Sequence, residues 1–340
     1  MKRTWTSALA LGALLVVSSC GAPSEKASQA AASVAANQVT FSILSTESSQ
    51  NLERLWRPFL ADMEASTGLK IIPFYASNYS GLIEAMRFNK VQIGWFSNQS
   101  GLEATRRADA EVFMRSSDPS GIDGYQAVVI VPLNSPLRTP EDLLKCDKSL
   151  DFGIGDAKST SGTLAPMTYL FAPKGIDPNT CFKTVRAANH EANLLATANG
   201  LVDAATNNTT NIKRKERQDP AVIKKIRVIW SSPTIPEDPI VWRKDLDPAV
   251  KAKIRDFFVS YGNRGDDAQK ARELQILRDL DFGVFKASDN THLIPVREME
   301  ATELLLQAQQ TNDAAKIATA KANLKAIENE RRALAEKTGG

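Results

Sequence analysis

The sequence predicts a two-lobed α/β fold in which the chain passes from one lobe to a second and back. Three observations carry this. From residue 38 onward, short apolar runs alternate with amphipathic helical stretches, the pattern of largely parallel sheets covered on both faces. The alternation starts a second cycle after Asn134-Ser135-Pro136, and a further buried strand, Ile240-Val241-Trp242-Arg243, follows a stretch punctuated by Pro233, Pro236 and Pro239. Crossings near 131–134 and 231–237 make a hinge with a cleft between the lobes, where ligands bind and closure traps them. The expected division is 38–132 plus 237–295 for lobe 1, 133–236 for lobe 2, and C-terminal helices over 296–340.

Taken in order, residues 1–19 read as an export signal. Lys2 and Arg3 precede an apolar run at 8–17 that is too short to span a bilayer of about 30 Å. Cys20 follows two serines in a segment similar to a bacterial lipobox, which makes it a lipidation candidate; a plain signal peptide with an incidental cysteine is the alternative. Residues 20–37, rich in Ala, Ser and Gln, read as a flexible tether. The expected location is therefore the periplasmic or cell-envelope face, anchored through Cys20.

Strands follow at 39–44, 69–75, 93–96, 112–115 and 125–131, with helices at 49–67 and around 79–89. In the first helix Leu52, Leu55, Trp56, Phe59, Leu60 and Met63 share a face. The second cycle holds helices at 140–144, 162–171 and 191–199, and strands near 152, 182–187, 203–206 and 226–230. A helix at 248–261 follows the returning strand. The tail at 296–337 lacks Pro and Gly beyond Pro295 and reads as two helices recapped at Thr311-Asn312-Asp313. Ile317, Ala320, Leu324, Ile327 and Leu334 form a narrow apolar stripe that packs either on the chain itself or on a second copy in a homodimer.

Composition narrows the function. The 340 residues are 43% hydrophobic and 24% charged, which supplies a sizeable core and excludes a disordered chain. Without Lys2 and Arg3, 40 basic residues face 39 acidic ones, which is not the basic excess of a nucleic-acid binder. Two histidines and three cysteines exclude a His-rich or multi-cysteine metal cluster, so neither a metal nor a cofactor is expected. In an exported chain Cys146 and Cys181 become candidates for a disulfide, with two buried free thiols as the alternative.

The segment Gly155-Asp156-Ala157-Lys158-Ser159-Thr160-Ser161-Gly162 sits between a strand and a helix. Three consecutive hydroxyls at a helix start offer side-chain donors and unpaired N–H groups to a tetrahedral anion, whereas an ordinary N-cap needs one. The segment is not a P-loop, because Ala157 stands where the glycine before Lys belongs. His190-Glu191 follows a strand on the same lobe, and Tyr79, Tyr125 and Asp238 fall at strand or loop ends facing the expected cleft. A Ser-His-Asp nucleophile built from Ser159 or Ser161, His190 and Asp238 is disfavoured, because no Gly-x-Ser-x-Gly elbow is present.

With these residues the chain resembles the substrate-binding proteins of bacterial phosphonate ABC transporters, from about Phe41 to the C-terminal helices. Ser45-Thr46-Glu47-Ser48, Met86-Arg87-Phe88-Asn89-Lys90-Val91, Ser159-Thr160-Ser161-Gly162, His190-Glu191, Ala205-Thr206-Asn207-Asn208-Thr209 and Asp238-Pro239-Ile240-Val241-Trp242-Arg243-Lys244 carry the resemblance. It implies a type II periplasmic-binding-protein (venus-flytrap) fold and a receptor, not an enzyme, that hands phosphonate to a membrane permease. Its C-terminal helices would mediate dimerisation. It also implies that Ser159, Thr160, Ser161, Tyr79 and His190 hold the phosphonate oxygens, that Tyr125 lines the pocket and that Asp238 faces an amine. Thr210 stands where the family pattern has a second, acidic amine partner. That departure implies a ligand with a smaller or neutral substituent. A receptor for phosphite or a phosphate ester, and an exported hydrolase, are the competing readings.

Overall fold

The computed structural model describes residues 37–338. The export signal, Cys20 and the tether up to residue 36 lie outside the described residues. Among the described residues, eleven strands form two sheets. They are β1 Gln38–Ile43, β2 Lys70–Tyr75, β3 Ile93–Trp95, β4 Ala110–Arg115, β5 Ala127–Pro132, β6 Asp151–Ile154, β7 Thr184–Ala187, β8 Ala204–Asn208, β9 Ile226–Ser231, β10 Pro239–Arg243 and β11 Lys286–Ala287. The first sheet runs β11-β4-β10-β3-β1-β2 and the second β7-β6-β8-β5-β9. In each, a parallel set (β2, β1, β3; β7, β6, β8) is extended by antiparallel strands.

The longer helices are α1 Ser49–Thr67, α2 Tyr79–Arg87, α3 Asn98–Arg107, α4 His190–Ala198, α5 Thr209–Gln218, α6 Pro248–Ser260, α7 Asp267–Asp279, α8 Ile294–Thr311 and α9 Ala314–Thr338. Helix α1 shows how sequence sets an element. The Ser48 side chain accepts from the Asn51 N–H as N-cap, the apolar face buries Leu52, Trp56, Phe59, Leu60 and Met63, and Gly68 at φ 67° ends the helix in the left-handed conformation. Trp56 stacks on Trp95 and meets Phe282 edge-on, and Phe59 lies against Phe257, Phe258, Tyr261 and Phe285. Each such ring contributes about 1.5–3 kcal/mol through burial. The second core is built on Phe152, Phe171 and Phe182, beside the Cys146–Cys181 disulfide.

Two expectations are corrected. Strand β5 belongs to the second sheet, between β8 and β9, and not to lobe 1. It is apolar throughout and suits either sheet, so the turn residues Asp118-Pro119-Ser120-Gly121 mark the crossing, not Asn134-Ser135-Pro136. The two crossings run as 116–126 and 232–238, and they pair with each other through reciprocal Tyr125 and Ile235 backbone hydrogen bonds of 2.9 and 2.7 Å. The helix expected at 162–171 is wound as π-turns at Thr160–Leu164 and Met167–Phe171. In the C-terminal hairpin, Leu324, Ile327 and Leu334 of the apolar stripe pack with Ile294 and Ala301 of α8. No helix among the described residues is long and apolar enough to cross a membrane.

Candidate functional site

The carboxyl ends of β1, β3, β6 and β8 converge on a cavity between the two sheets. Tyr79, Trp95, Ser97, Ser116, Tyr125, Glu237, Asp238 and Phe282 line it from the first-sheet side and the crossings. Ser159, Ser161, His190, Asn208, Thr210, Asn211 and Arg214 line it from the second.

The serines are placed by a tight backbone contact. Gly155, just past β6, donates its N–H to the Gly162 carbonyl at 2.9 Å. A Cβ on Gly155 would lie 2.4 Å from the Gly162 Cα, so the strand end and the turn approach only because both are glycine. The Ser159 side chain caps the turn by accepting from the Gly162 N–H at 3.0 Å, and Asn208 Nδ2 donates to Ser161 Oγ at 3.0 Å. The π-turn that follows is a geometry found repeatedly at functional sites.

His190 opens α4. Its Nε2 lies 3.5 Å from Ser159 Oγ and 3.4 Å from Ser161 Oγ, and Asn207 Nδ2 donates to its carbonyl at 2.9 Å. Burial, with the Arg214 charge second, pushes the imidazole down to about 4, so the ring is neutral at physiological pH. Tyr79, at the start of α2, brings its hydroxyl to Ser159. Burial, with the Asp238 charge second, pushes that phenol far up, so it remains an O–H donor.

The other half of the lining is acidic. Asp238 is partly buried and accepts from the Tyr125 hydroxyl at 3.0 Å. Burial, with Glu237 second, raises its carboxyl to about 8. Glu237 accepts from the Ser116 hydroxyl at 3.3 Å and is raised to about 7 by burial, with Asp118 second. At neutral pH Asp238 thus largely keeps its proton and Glu237 is about half protonated, and an entering cation favours ionisation of both.

Of the residues singled out in the sequence, Tyr79, Tyr125, Ser159, Ser161, His190, Asp238 and Thr210 line one cavity. Thr160 does not. Its hydroxyl accepts from the Gln99 N–H at 2.8 Å, at the start of α3 across the cleft, because successive side chains in a turn cannot all face the same way. Sequence reasoning missed Asn208, Asn211, Arg214 and Glu237. Asn208 lay within a quoted motif, and Glu237 directly precedes Asp238, so adjacency was the available signal. No group of three or more metal-binding side chains occurs among the described residues.

Residues 41–293 match the family model for the periplasmic substrate-binding protein of phosphonate ABC transporters. The chain is 45% identical over 261 residues to the phosphonates-binding periplasmic protein of Escherichia coli K12, covering 77% of this chain and 75% of that one. It superposes with TM-score 0.83 and 41% identity on a binding-protein component of an ABC phosphonate transporter from Pseudomonas aeruginosa, over 88% of this chain and 99% of the other. PhnD1 of Prochlorococcus marinus, solved with methylphosphonate, superposes with TM-score 0.68 over 82% of this chain and 99% of that one; at 18% identity it bears on the fold alone. The fold is that of the type II periplasmic binding proteins, and the chain belongs to the periplasmic substrate-binding proteins of phosphonate ABC transporters.

Proposed function

We propose that the cavity captures a phosphonate carrying an amine. The phosphonate group sits on Ser159, Ser161, Tyr79 and His190, and the organic group extends toward Tyr125, Asp238 and Glu237. One observation carries this reading: neutral donors and two carboxyls whose ionisation burial disfavours line the same cavity. Hydroxyl and imidazole donors give an anion directional hydrogen bonds and leave no unpaired buried cation after release. An ammonium group beside Asp238 and Glu237 displaces their protons and offsets the charge that burial disfavours. Thr210 implied a neutral substituent; Glu237, from the crossing segment, supplies a second carboxyl and favours an amine instead. The captured ligand then passes to the membrane permease of the transporter, outside the cytoplasm, from a receptor held by a lipid on Cys20.

Calorimetry at neutral pH with 2-aminoethylphosphonate and methylphosphonate tests the assignment. The aminated ligand is expected to bind at least about tenfold tighter, a charge-assisted hydrogen bond contributing about 1.5–3 kcal/mol. Asp238→Asn and Glu237→Gln should each narrow that gap. Equal affinities in the unaltered protein sink the amine assignment, and no binding of either ligand sinks the phosphonate reading. The intact mass of membrane-extracted protein checks the anchor: a chain that begins elsewhere than at an acylated Cys20 removes it.

A further inference from the structure

We propose that Arg214 is a positioning residue for ligand capture: it latches the second lobe against an acidic pair, Glu47 and Asp281, of the first. The proposal rests on the reading of the cavity as a site that opens and closes. Helix α5 leaves the end of β8 in the second sheet, and its basic side chains reach across the cleft. Arg214 Nη1 lies 2.9 Å from Glu47 Oε1, and its Nε donates to Asp281 Oδ2 at 3.0 Å. The three side chains are only 3–5% exposed. Arg217 also pairs with Asp281, and Lys213 Nζ reaches Asp118 at 3.1 Å.

Two guanidiniums, Arg214 buried and Arg217 half-exposed, thus face two buried carboxylates, and the cluster as a whole carries no net charge. Opening returns these ions to water, and their hydration largely offsets the lost pairing. The latch alone is near balance, so a ligand that bridges the cleft decides which state is populated. Removing the guanidinium changes this. Glu47 is then buried without a counter-charge and Asp281 keeps only the half-exposed Arg217, in the closed form only, so the closed form is destabilised and the open form is not.

Four backbone N–H groups report closure directly, because their acceptors lie across the cleft. Ser48 donates to Glu191 at 3.0 Å, Glu191 to the Thr46 carbonyl at 3.2 Å, Tyr79 to Asp156 at 3.1 Å and Gln99 to Thr160 at 2.8 Å. Tyr79 and Gln99 have no bond to Arg214, so their exchange reads opening of the lobes and not local loosening around α5.

The experiment combines stopped-flow binding of 2-aminoethylphosphonate and methylphosphonate with amide hydrogen exchange, on the full chain and its Arg214→Met and Arg214→Lys variants. Arg214→Met is expected to speed dissociation at least tenfold, with association changed less than about threefold. It should also speed exchange at Tyr79 and Gln99 in ligand-free protein. Arg214→Lys should recover part of both effects. Adding Glu47→Gln and Asp281→Asn to Arg214→Met should recover more, since no unpaired carboxylate remains. If Arg214→Met does not fold, Glu47→Gln alone leaves Arg214 half-paired and should speed the same two amides. Unchanged exchange at Tyr79 and Gln99 overturns the latch, even where affinity falls, because that pattern marks a direct ligand contact. Failure of the phosphonate reading looks different: neither ligand binds, while the Arg214→Met effect on exchange persists.

Discussion

At the scale of single residues, the cavity holds a base that stays neutral beside acids whose ionisation burial opposes. His190, held down to about 4, keeps one ring N–H to donate and adds no positive charge that would survive ligand release. Ser161→Ala removes a hydroxyl that is itself oriented by Asn208 and should weaken phosphonate binding by about 1–3 kcal/mol with little change in melting temperature, as calorimetry and thermal unfolding will read. Asp238 makes a prediction of opposite sign for stability. Its native carboxyl keeps its proton up to about 8, whereas the unfolded chain ionises near 3.8, so native stability falls as pH rises from about 4 to about 8. Asp238→Asn is neutral throughout and isosteric, and it still accepts from Tyr125. The variant should therefore melt higher than the parent at pH 8, by at least about 1 kcal/mol, with the gain vanishing below pH 4. A parent as stable at pH 8 as the variant would show that the buried acid carries no such cost. A more stable variant would instead fit an acid kept for the proposed ligand at the expense of stability, the trade expected at a binding site.

At the scale of elements, what was legible in the sequence was local and what was missed was not. The strand and hydroxyl-rich turn at 150–161 were readable from composition and order, because these depend on neighbours a few residues away, whereas the π-winding beyond them and the choice of Ser159 as the cap were not. The orientation of Thr160 was not readable, since its partner Gln99 is 61 residues distant and on another helix. Strand β5 was assigned to the wrong sheet for a related reason: an apolar strand has no local mark of its partners, which here are β8 and β9. Nor does the sequence reveal that Gly155 and Gly162 are in contact. That contact makes Gly155→Ala a test of the element. The added methyl must displace backbone, not a flexible side chain, so the turn shifts relative to β6. A loss of about 1–3 kcal/mol in stability is expected, together with weaker phosphonate binding. Gly68→Ala, where nothing lies within 4 Å but φ is +67°, should cost only about 1 kcal/mol of stability and leave binding unchanged. Equal effects of the two substitutions on binding would mean that the turn is not what aims the serines.

At the scale of the whole molecule, the proposed ligand capture has its cavity between two sheets joined by narrow connections. The connections are the crossings at 116–126 and 232–238, joined by the Tyr125 and Ile235 hydrogen bonds, and both lead directly into site residues: Tyr125 follows Gly124, and Asp238 follows Glu237. If the crossings act as the proposed hinge, a bend there moves the acid pair relative to the serines on the second sheet, and the same motion that closes the cleft assembles the proposed site. Gly124 is where this can be probed. Its φ of +128° is open to glycine and strained for other residues, and a Cβ there would lie 2.5 Å from the Ile235 carbonyl oxygen. Gly124→Ala must push the two crossings apart or abandon that backbone conformation. Either response alters the hinge without changing any side chain of the cavity lining. Thermal unfolding should register a loss of about 1–3 kcal/mol, a few degrees in melting temperature for a chain of this size. Phosphonate affinity should fall as well, although every group proposed to contact the ligand is intact. A variant that melts earlier yet binds as tightly as the parent would separate the crossings from closure and confine the hinge to other residues.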